Sequence, residues 1–222
     1  MENNKKYILV TGGTGYIGSQ TALYLLKNSE FSPVVLDIDI EKNSTKILEK
    51  LGIPVFKGNI IDGTLIKEIH NQYPFKSVMH FAAFIEAGES VNNPQKYYDN
   101  NVKNFDTFLQ IIKPLGVEYF IFSSSAAVYG TYETPIEENF AKNPASPYGE
   151  TKLKGEELLE KFVKENKIKA ASLRYFNAAG AQEEGLLGED HEPETHLIPR
   201  IIKASLKNEP IQIFGSDYPT RD

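Results

Sequence analysis

The chain has no cysteine and no tryptophan, and only two methionines among its 222 residues. Without cysteine there is no disulfide, no thiolate nucleophile and no cysteine metal site. Histidine is nearly as scarce. His70, His80, His191 and His196 are not spaced as metal ligands on one helix, and no metal is expected. Long apolar runs are missing as well. None approaches the ~20 residues needed to cross a bilayer, so no membrane partner is expected. The segment Met1-Glu2-Asn3-Asn4-Lys5-Lys6 precedes only four apolar residues before Thr11. That is too few for a signal-peptide core, and a cytoplasmic location is the expectation. Positive charge is in deficit, with 24 Lys and Arg against 30 Asp and Glu, a net charge of −6. Nucleic acid, which needs a basic surface, is not an expected partner. A small phosphorylated substrate stays open, because a glycine turn and one or two cations can hold a diphosphate.

What is present is ordinary in amount and specific in order. Hydrophobic residues make up 41% and charged residues 24%, as in a globular protein. The length suits one large α/β domain with a small addition. Near the start, the apolar run Tyr7-Ile8-Leu9-Val10 leads into Gly12-Gly13-Thr14-Gly15-Tyr16-Ile17-Gly18 and then an amphipathic stretch to Lys27. Strand, glycine turn and helix in this order are the setting in which G-x-G-x-x-G (Gly13, Gly15, Gly18) binds a dinucleotide. Gly13 is expected to make the tight turn. Gly15 would let backbone approach a pyrophosphate, and Gly18 would let the helix pack on the strand. The helix N-terminus then presents unpaired N–H groups to phosphate. A second strand, Pro33-Val34-Val35-Leu36-Asp37, ends in an acid 19 residues beyond Gly18. A carboxylate there accepts from both ribose hydroxyls and repels a 2′-phosphate. Ile38 follows instead of Arg or Lys, so NAD is favoured over NADP.

Strands are predicted at 7–11, 34–37, 54–57, 78–81, 119–123 and 170–174. Helices are predicted at 16–28, 44–51, 64–73, 94–112, 147–165 and 197–207. Several strands are continuous apolar runs, as in strands buried on both faces. The alternation predicts a doubly wound parallel sheet, a Rossmann fold. It would occupy 1–175, with 176–222 beginning a smaller substrate-binding domain. Residues 178–194 are rich in Gly, Glu and Pro and read as a long loop.

Tyr148 and Lys152 stand four apart at the start of a predicted helix, behind Ser146 as N-cap and Pro147 as first helical residue. That spacing puts both on one face. An ammonium beside a phenol favours the phenolate, so Tyr148 could serve as a base toward a sugar hydroxyl. Taken alone, Y-x-x-x-K is common by chance and reads more readily as a surface pair. Ser123-Ser124-Ser125 close a strand on the side where open α/β sheets bind ligands.

These segments carry a resemblance. Together with Ser123-Ser124-Ser125-Ala126-Ala127-Val128-Tyr129-Gly130, Ser146-Pro147-Tyr148-Gly149-Glu150-Thr151-Lys152, Leu173-Arg174-Tyr175-Phe176-Asn177 and Ile213-Phe214-Gly215-Ser216-Asp217-Tyr218, the chain resembles the UDP-glucose 4-epimerase family of the extended short-chain dehydrogenase/reductase superfamily. Sugar-nucleotide dehydratases of that superfamily usually carry an Asp-Glu pair where Ser125 and Ala126 stand here. The resemblance implies redox-neutral interconversion of UDP-galactose and UDP-glucose through a 4-keto sugar, with NAD held as a prosthetic group. It implies that Tyr148 removes the C4 hydroxyl proton, Ser125 bonds the C4 oxygen, and Lys152 holds the nicotinamide ribose and lowers the Tyr148 pKa. Gly12, Gly15, Tyr16, Ile17, Gly18, Asp37, Asn59, Ile60, the segment from Phe81 through Ala82 and Ala83 to Ile85, Asn100 and Phe176 would line the cofactor. Asn177, His196 and Phe214 would join Ser125 and Tyr148 against a UDP-hexose. Read without the resemblance, Phe176 and Phe214 fit plain core equally well, and His196 fits a solvated helix start.

The sequence also departs from that family. Asn59 replaces an Asp that reads adenine, Ile85 replaces a Lys, and Ala127 replaces a Thr. Family members continue by on the order of a hundred residues, about the size of a small lobe, so the chain is expected to be the front of a longer enzyme. A reading of a different class is an NAD-binding fragment without turnover. A related one keeps the chemistry on N-acetylhexosamine or pentose nucleotides. Apolar surface left open by a missing lobe is expected to make the isolated chain aggregate. The family also implies a homodimer through the helices near 94–112 and 147–165.

Overall fold

The computed structural model describes residues 5–132, 135–189, 194, 196–213 and 215. Six parallel strands form one sheet: β1 (Lys6–Thr11), β2 (Phe31–Asp37), β3 (Val55–Lys57), β4 (Ser77–His80), β5 (Tyr119–Ser125) and β6 (Lys169–Tyr175). Their order is β3-β2-β1-β4-β5-β6, the doubly wound Rossmann order expected. The order reverses between β1 and β4. A crevice opens there beyond the carboxyl ends of the strands.

The sheet alternates its side chains between two cores. Ile8 and Val10 of β1 face Ala22 and Leu23 of α1 (Tyr16–Asn28) and Leu48 of α2 (Asn43–Lys50). Leu9, Val78, Phe120 and Phe122 face the opposite side. There α3 (Gly63–Gln72), α6 (Asn104–Ile112) and α7 (Pro147–Asn166) bury Ile66, Phe105, Phe108, Leu159 and Phe162. β1 and β2 are buried on both faces, as their apolar runs predict. β6 is not. It is an edge strand, and Lys169, Ala170 and Ala171 are exposed. Beyond it α8 (Leu197–Lys207) has no buried residue among its side chains, and Leu206 is 83% exposed. Apolar surface therefore lies open on this side.

The single helix expected at 94–112 is three pieces. Helix α5 (Pro94–Tyr98) runs into a π-turn at Asp99–Lys103 and then into α6. The reason is tertiary. Asn101 Oδ1 accepts from the Phe84 N–H at 2.9 Å and its Nδ2 donates to the Phe84 carbonyl at 3.0 Å. One extra residue in the turn lets Asn101 point inward while Asn100 turns to the crevice. A short helix, α4 (Ala87–Asn92), was not expected. Its six residues are too few for periodicity to show.

Candidate active site

The glycine turn is built differently from expectation. Gly12, not Gly13, holds the left-handed conformation, with φ +70°. A Cβ on Gly12 would also sit 2.5 Å from the Ala82 nitrogen. Gly13 is glycine because Val35 of β2 presses on it, at 2.7 Å from an added Cβ. Gly18 packs on the turn itself, where a Cβ would lie 2.3 Å from the Gly12 carbonyl oxygen. Gly15 is the N-cap of α1.

Thr14, which the sequence reading passed over, ties this turn to β2. Its N–H donates to Asp37 Oδ2 at 3.1 Å and its hydroxyl to the Asp39 carbonyl at 2.8 Å. Asp37 Oδ1 also accepts from the Asp39 N–H at 3.1 Å. The carboxylate is thereby fixed at the crevice with lone pairs to spare for two hydroxyls. Lys42 lines the cleft without any sequence signal, its Nζ 3.6 Å from Asp39 Oδ2. Asn59 Oδ1 accepts from the Ile61 N–H at 3.2 Å.

At the other end, α7 starts as its cap residues predict. Ser146 Oγ accepts from the Gly149 N–H at 3.1 Å, and Pro147 takes the first helical position. Tyr148 and Ser125 line the same cleft, and the Ser125 side chain acts to lower the pKa of the phenol. Lys152 is 3% exposed and donates from Nζ to the Ser123 carbonyl at 2.7 Å, with the Tyr148 ring centroid 5.8 Å away. The electrostatics correct the sequence expectation. Burial pushes the Tyr148 phenol up, and the Ser125 side chain only partly offsets it. Burial also pulls the Lys152 ammonium down to about 8. Desolvation is the largest cause at both groups.

One cleft of about 560 Å³ joins the two ends. Its walls include Gly12, Gly15, Tyr16, Ile17, Gly18, Asp37, Asn59, Ile60, the run from Phe81 to Ile85, Asn100, Ser125, Tyr148, Lys152, Phe176, Asn177 and His196. Every predicted site residue is therefore brought together except Phe214, which lies outside the described residues. Phe176 is 67% exposed, which overturns the plain-core reading. His196 is partnered by Glu189, and its Nδ1 lies 3.9 Å from Glu194. The expected UDP-hexose contact therefore has carboxylates beside it. Tyr16 donates to the Gly180 carbonyl at 2.7 Å, which pins the 178–189 loop to α1.

The residues fit an NAD molecule. The turn has no Cβ where a pyrophosphate would approach, α1 points its N-terminus there, and a fixed carboxylate stands at the ribose end. Fold and cleft together define a Rossmann dinucleotide-binding protein with a Tyr-Lys-Ser constellation at the far end of the cofactor groove.

Comparison with known proteins narrows the class. Residues 8–222 match the NAD dependent epimerase/dehydratase family, and the chain belongs to that family. It is 43% identical to the UDP-glucose 4-epimerase of Lactobacillus helveticus over 217 residues, covering 97% of this chain and 65% of that protein. The UDP-glucose 4-epimerase of Brucella ovis in complex with NAD superposes with a TM-score of 0.88 at 39% identity, over 98% of this chain and 66% of that one. The Bifidobacterium longum enzyme in complex with NAD⁺ and UDP gives 0.87 at 34% identity, over 98% and 68%. The chain thus spans about two thirds of the length of its relatives.

Proposed function

We propose that this protein is an NAD-dependent nucleotide-sugar 4-epimerase that interconverts UDP-galactose and UDP-glucose. The observation that carries the reading is the convergence of Tyr148, Ser125 and Lys152 at the end of a dinucleotide cleft. In this reading residues 1–175 hold the cofactor and residues from 176 onward begin the UDP-hexose site. Bound NAD supplies the two-electron oxidation and re-reduction of the sugar carbon, and its positive ring favours the phenolate. Tyr148 takes the proton of the sugar C4 hydroxyl and later returns it. Ser125 donates to the same oxygen and holds it against Tyr148. Lys152 is the cation that the chain itself supplies beside the phenol. Asp37 accepts from the adenosine ribose hydroxyls. Asn177 and His196 stand on the substrate side. The protein works in the cytoplasm, without nucleic acid. Two copies pair through α5–α6 and α7, which pack side by side and leave Tyr98 40% exposed.

The deciding experiment is Tyr148→Phe in the purified protein. Conversion of UDP-galactose to UDP-glucose should fall by about 10³-fold while the NAD content stays unchanged. Turnover at the wild-type rate in that variant would remove Tyr148 as the base and the reading with it.

A further inference from the structure

Tyr148, Lys152 and Glu156 occupy positions i, i+4 and i+8 of α7 and so form one stripe along the helix. Each member meets one of three consecutive serines at the end of β5. Tyr148 lines the cleft beside Ser125, whose side chain lowers the pKa of the phenol, Lys152 donates to the Ser123 carbonyl at 2.7 Å, and Glu156 Oε1 accepts from Ser124 Oγ at 2.6 Å. The first two members line the cleft. Glu156 does not.

Glu156 is nevertheless held more tightly than either. Its side chain is 7% exposed. Arg174 of β6 donates from Nε to Oε1 and from Nη2 to Oε2, both at 2.8 Å, and Lys142 Nζ lies 3.2 Å from Oε2. Burial pushes the carboxyl up, but the guanidinium and the serine hydroxyl outweigh it and leave the group below its usual range. Arg174 is itself seated over the Tyr129 ring at 4.9 Å and donates to the Glu138 carbonyl at 3.2 Å. Ser124 and Arg174 are register partners on neighbouring strands. The carboxylate thus joins α7, β5, β6 and the loop after β5 at one point. A buried ion pair of this kind adds little net stability over apolar packing. What it does supply is a fixed geometry.

We infer that Glu156 is a positioning residue. Through Ser124 it sets where β5 ends, and so where the Ser125 hydroxyl and the Ser123 carbonyl meet Tyr148 and Lys152. The inference rests on the epimerase reading for its kinetic consequence. A displacement of about 1 Å at such a site costs on the order of 10²-fold in rate, so a partial loosening should be visible.

The test compares Ser124→Ala and Glu156→Gln with the wild-type protein, all loaded with NAD. Two readouts are taken. One is the kcat and KM of UDP-galactose epimerisation. The other is the phenolate absorption of Tyr148 against pH, obtained as the difference from Tyr148→Phe. Ser124→Ala leaves the Glu156–Arg174 pair intact, so it decides the matter even where Glu156→Gln fails to fold. The expected result is a kcat about tenfold lower, a KM within about twofold of wild type, and a Tyr148 titration displaced to higher pH. If Ser124→Ala keeps the wild-type titration curve, the inference falls. The same holds if only KM or thermal stability moves. If the wild-type protein does not epimerise, the proposed function fails, and the titration alone still reads the positioning.

Discussion

Ser90 Oγ accepts the backbone N–H of Tyr148 at 3.1 Å and donates to the Ala87 carbonyl at 2.6 Å. Tyr148 sits in the first turn of α7, where N–H groups have no partner within the helix. Pro147 has no N–H to satisfy, and Ser146 takes that of Gly149. Ser90 supplies what remains, from α4, 58 residues away in sequence. It is fully buried, so its hydroxyl faces no water. Ser90→Ala would strand the Tyr148 N–H, at a cost of about 1–3 kcal/mol. Urea unfolding should show that loss, and kcat should fall with the NAD content unchanged. A variant as stable as the wild type would mean that Ser90 does not anchor the helix.

The glycine turn separates folding from binding. An alanine at Gly18 drives a Cβ to 2.3 Å from the Gly12 oxygen, so the turn must open. An alanine at Gly15 meets that same oxygen at 3.3 Å, a contact that a small shift relieves. Gly18→Ala should therefore lose both thermal stability and NAD affinity. Gly15→Ala should hold its stability within about 1 kcal/mol yet bind NAD at least about tenfold more weakly, because its methyl points where the pyrophosphate comes. Calorimetric titration with NAD, paired with a melting curve, checks both. Equal melting temperatures for the two variants would contradict this division.

His80 gives the fold an acid limit. Its ring is 3% exposed, stacks on Phe105 at 4.7 Å and accepts or donates through Nδ1 to the Thr11 hydroxyl at 2.7 Å. Burial, with Lys152 nearby as a lesser cause, pushes its pKa down to about 3 from the usual 6.5. Between those values the unfolded chain binds a proton that the folded chain refuses. Stability therefore falls as pH drops below 6.5, by about 1.4 kcal/mol per pH unit from this group. In His80→Asn the fall between pH 6.5 and 4.5 should be shallower by that amount. Parallel stability curves for variant and wild type would remove His80 as the source.

Much of the architecture was legible because it is local. The strand, glycine turn and helix at 7–28 rest on neighbours in sequence, as do the Ser146–Pro147 start of α7 and the facing of Tyr148 and Lys152. The alternation of strands and helices carried the parallel sheet. The misses share a cause. The π-turn at Asp99–Lys103 exists because Asn101 reaches Phe84 across 17 residues. Gly13 is glycine because Val35 lies over it, not because its own turn requires it. Helix α4 is too short to announce itself, yet it holds the start of α7.

The sequence by itself determined the order of elements, the cofactor turn, the acid at the end of β2 and the candidate side chains Ser125, Tyr148 and Lys152. These depend on residue type and on spacings of a few residues. Tertiary structure alone decided the charge environment. Lys152 lies among Phe122, Tyr148 and the Ser123 carbonyl, so desolvation pulls its ammonium down to about 8. Glu156 reads from the sequence as one more acid on a polar helix face, and only β6 brings Arg174 to it. Desolvation and ion pairing depend on what lies within a few ångströms in space, and the chain brings such groups together only when it closes its sheet.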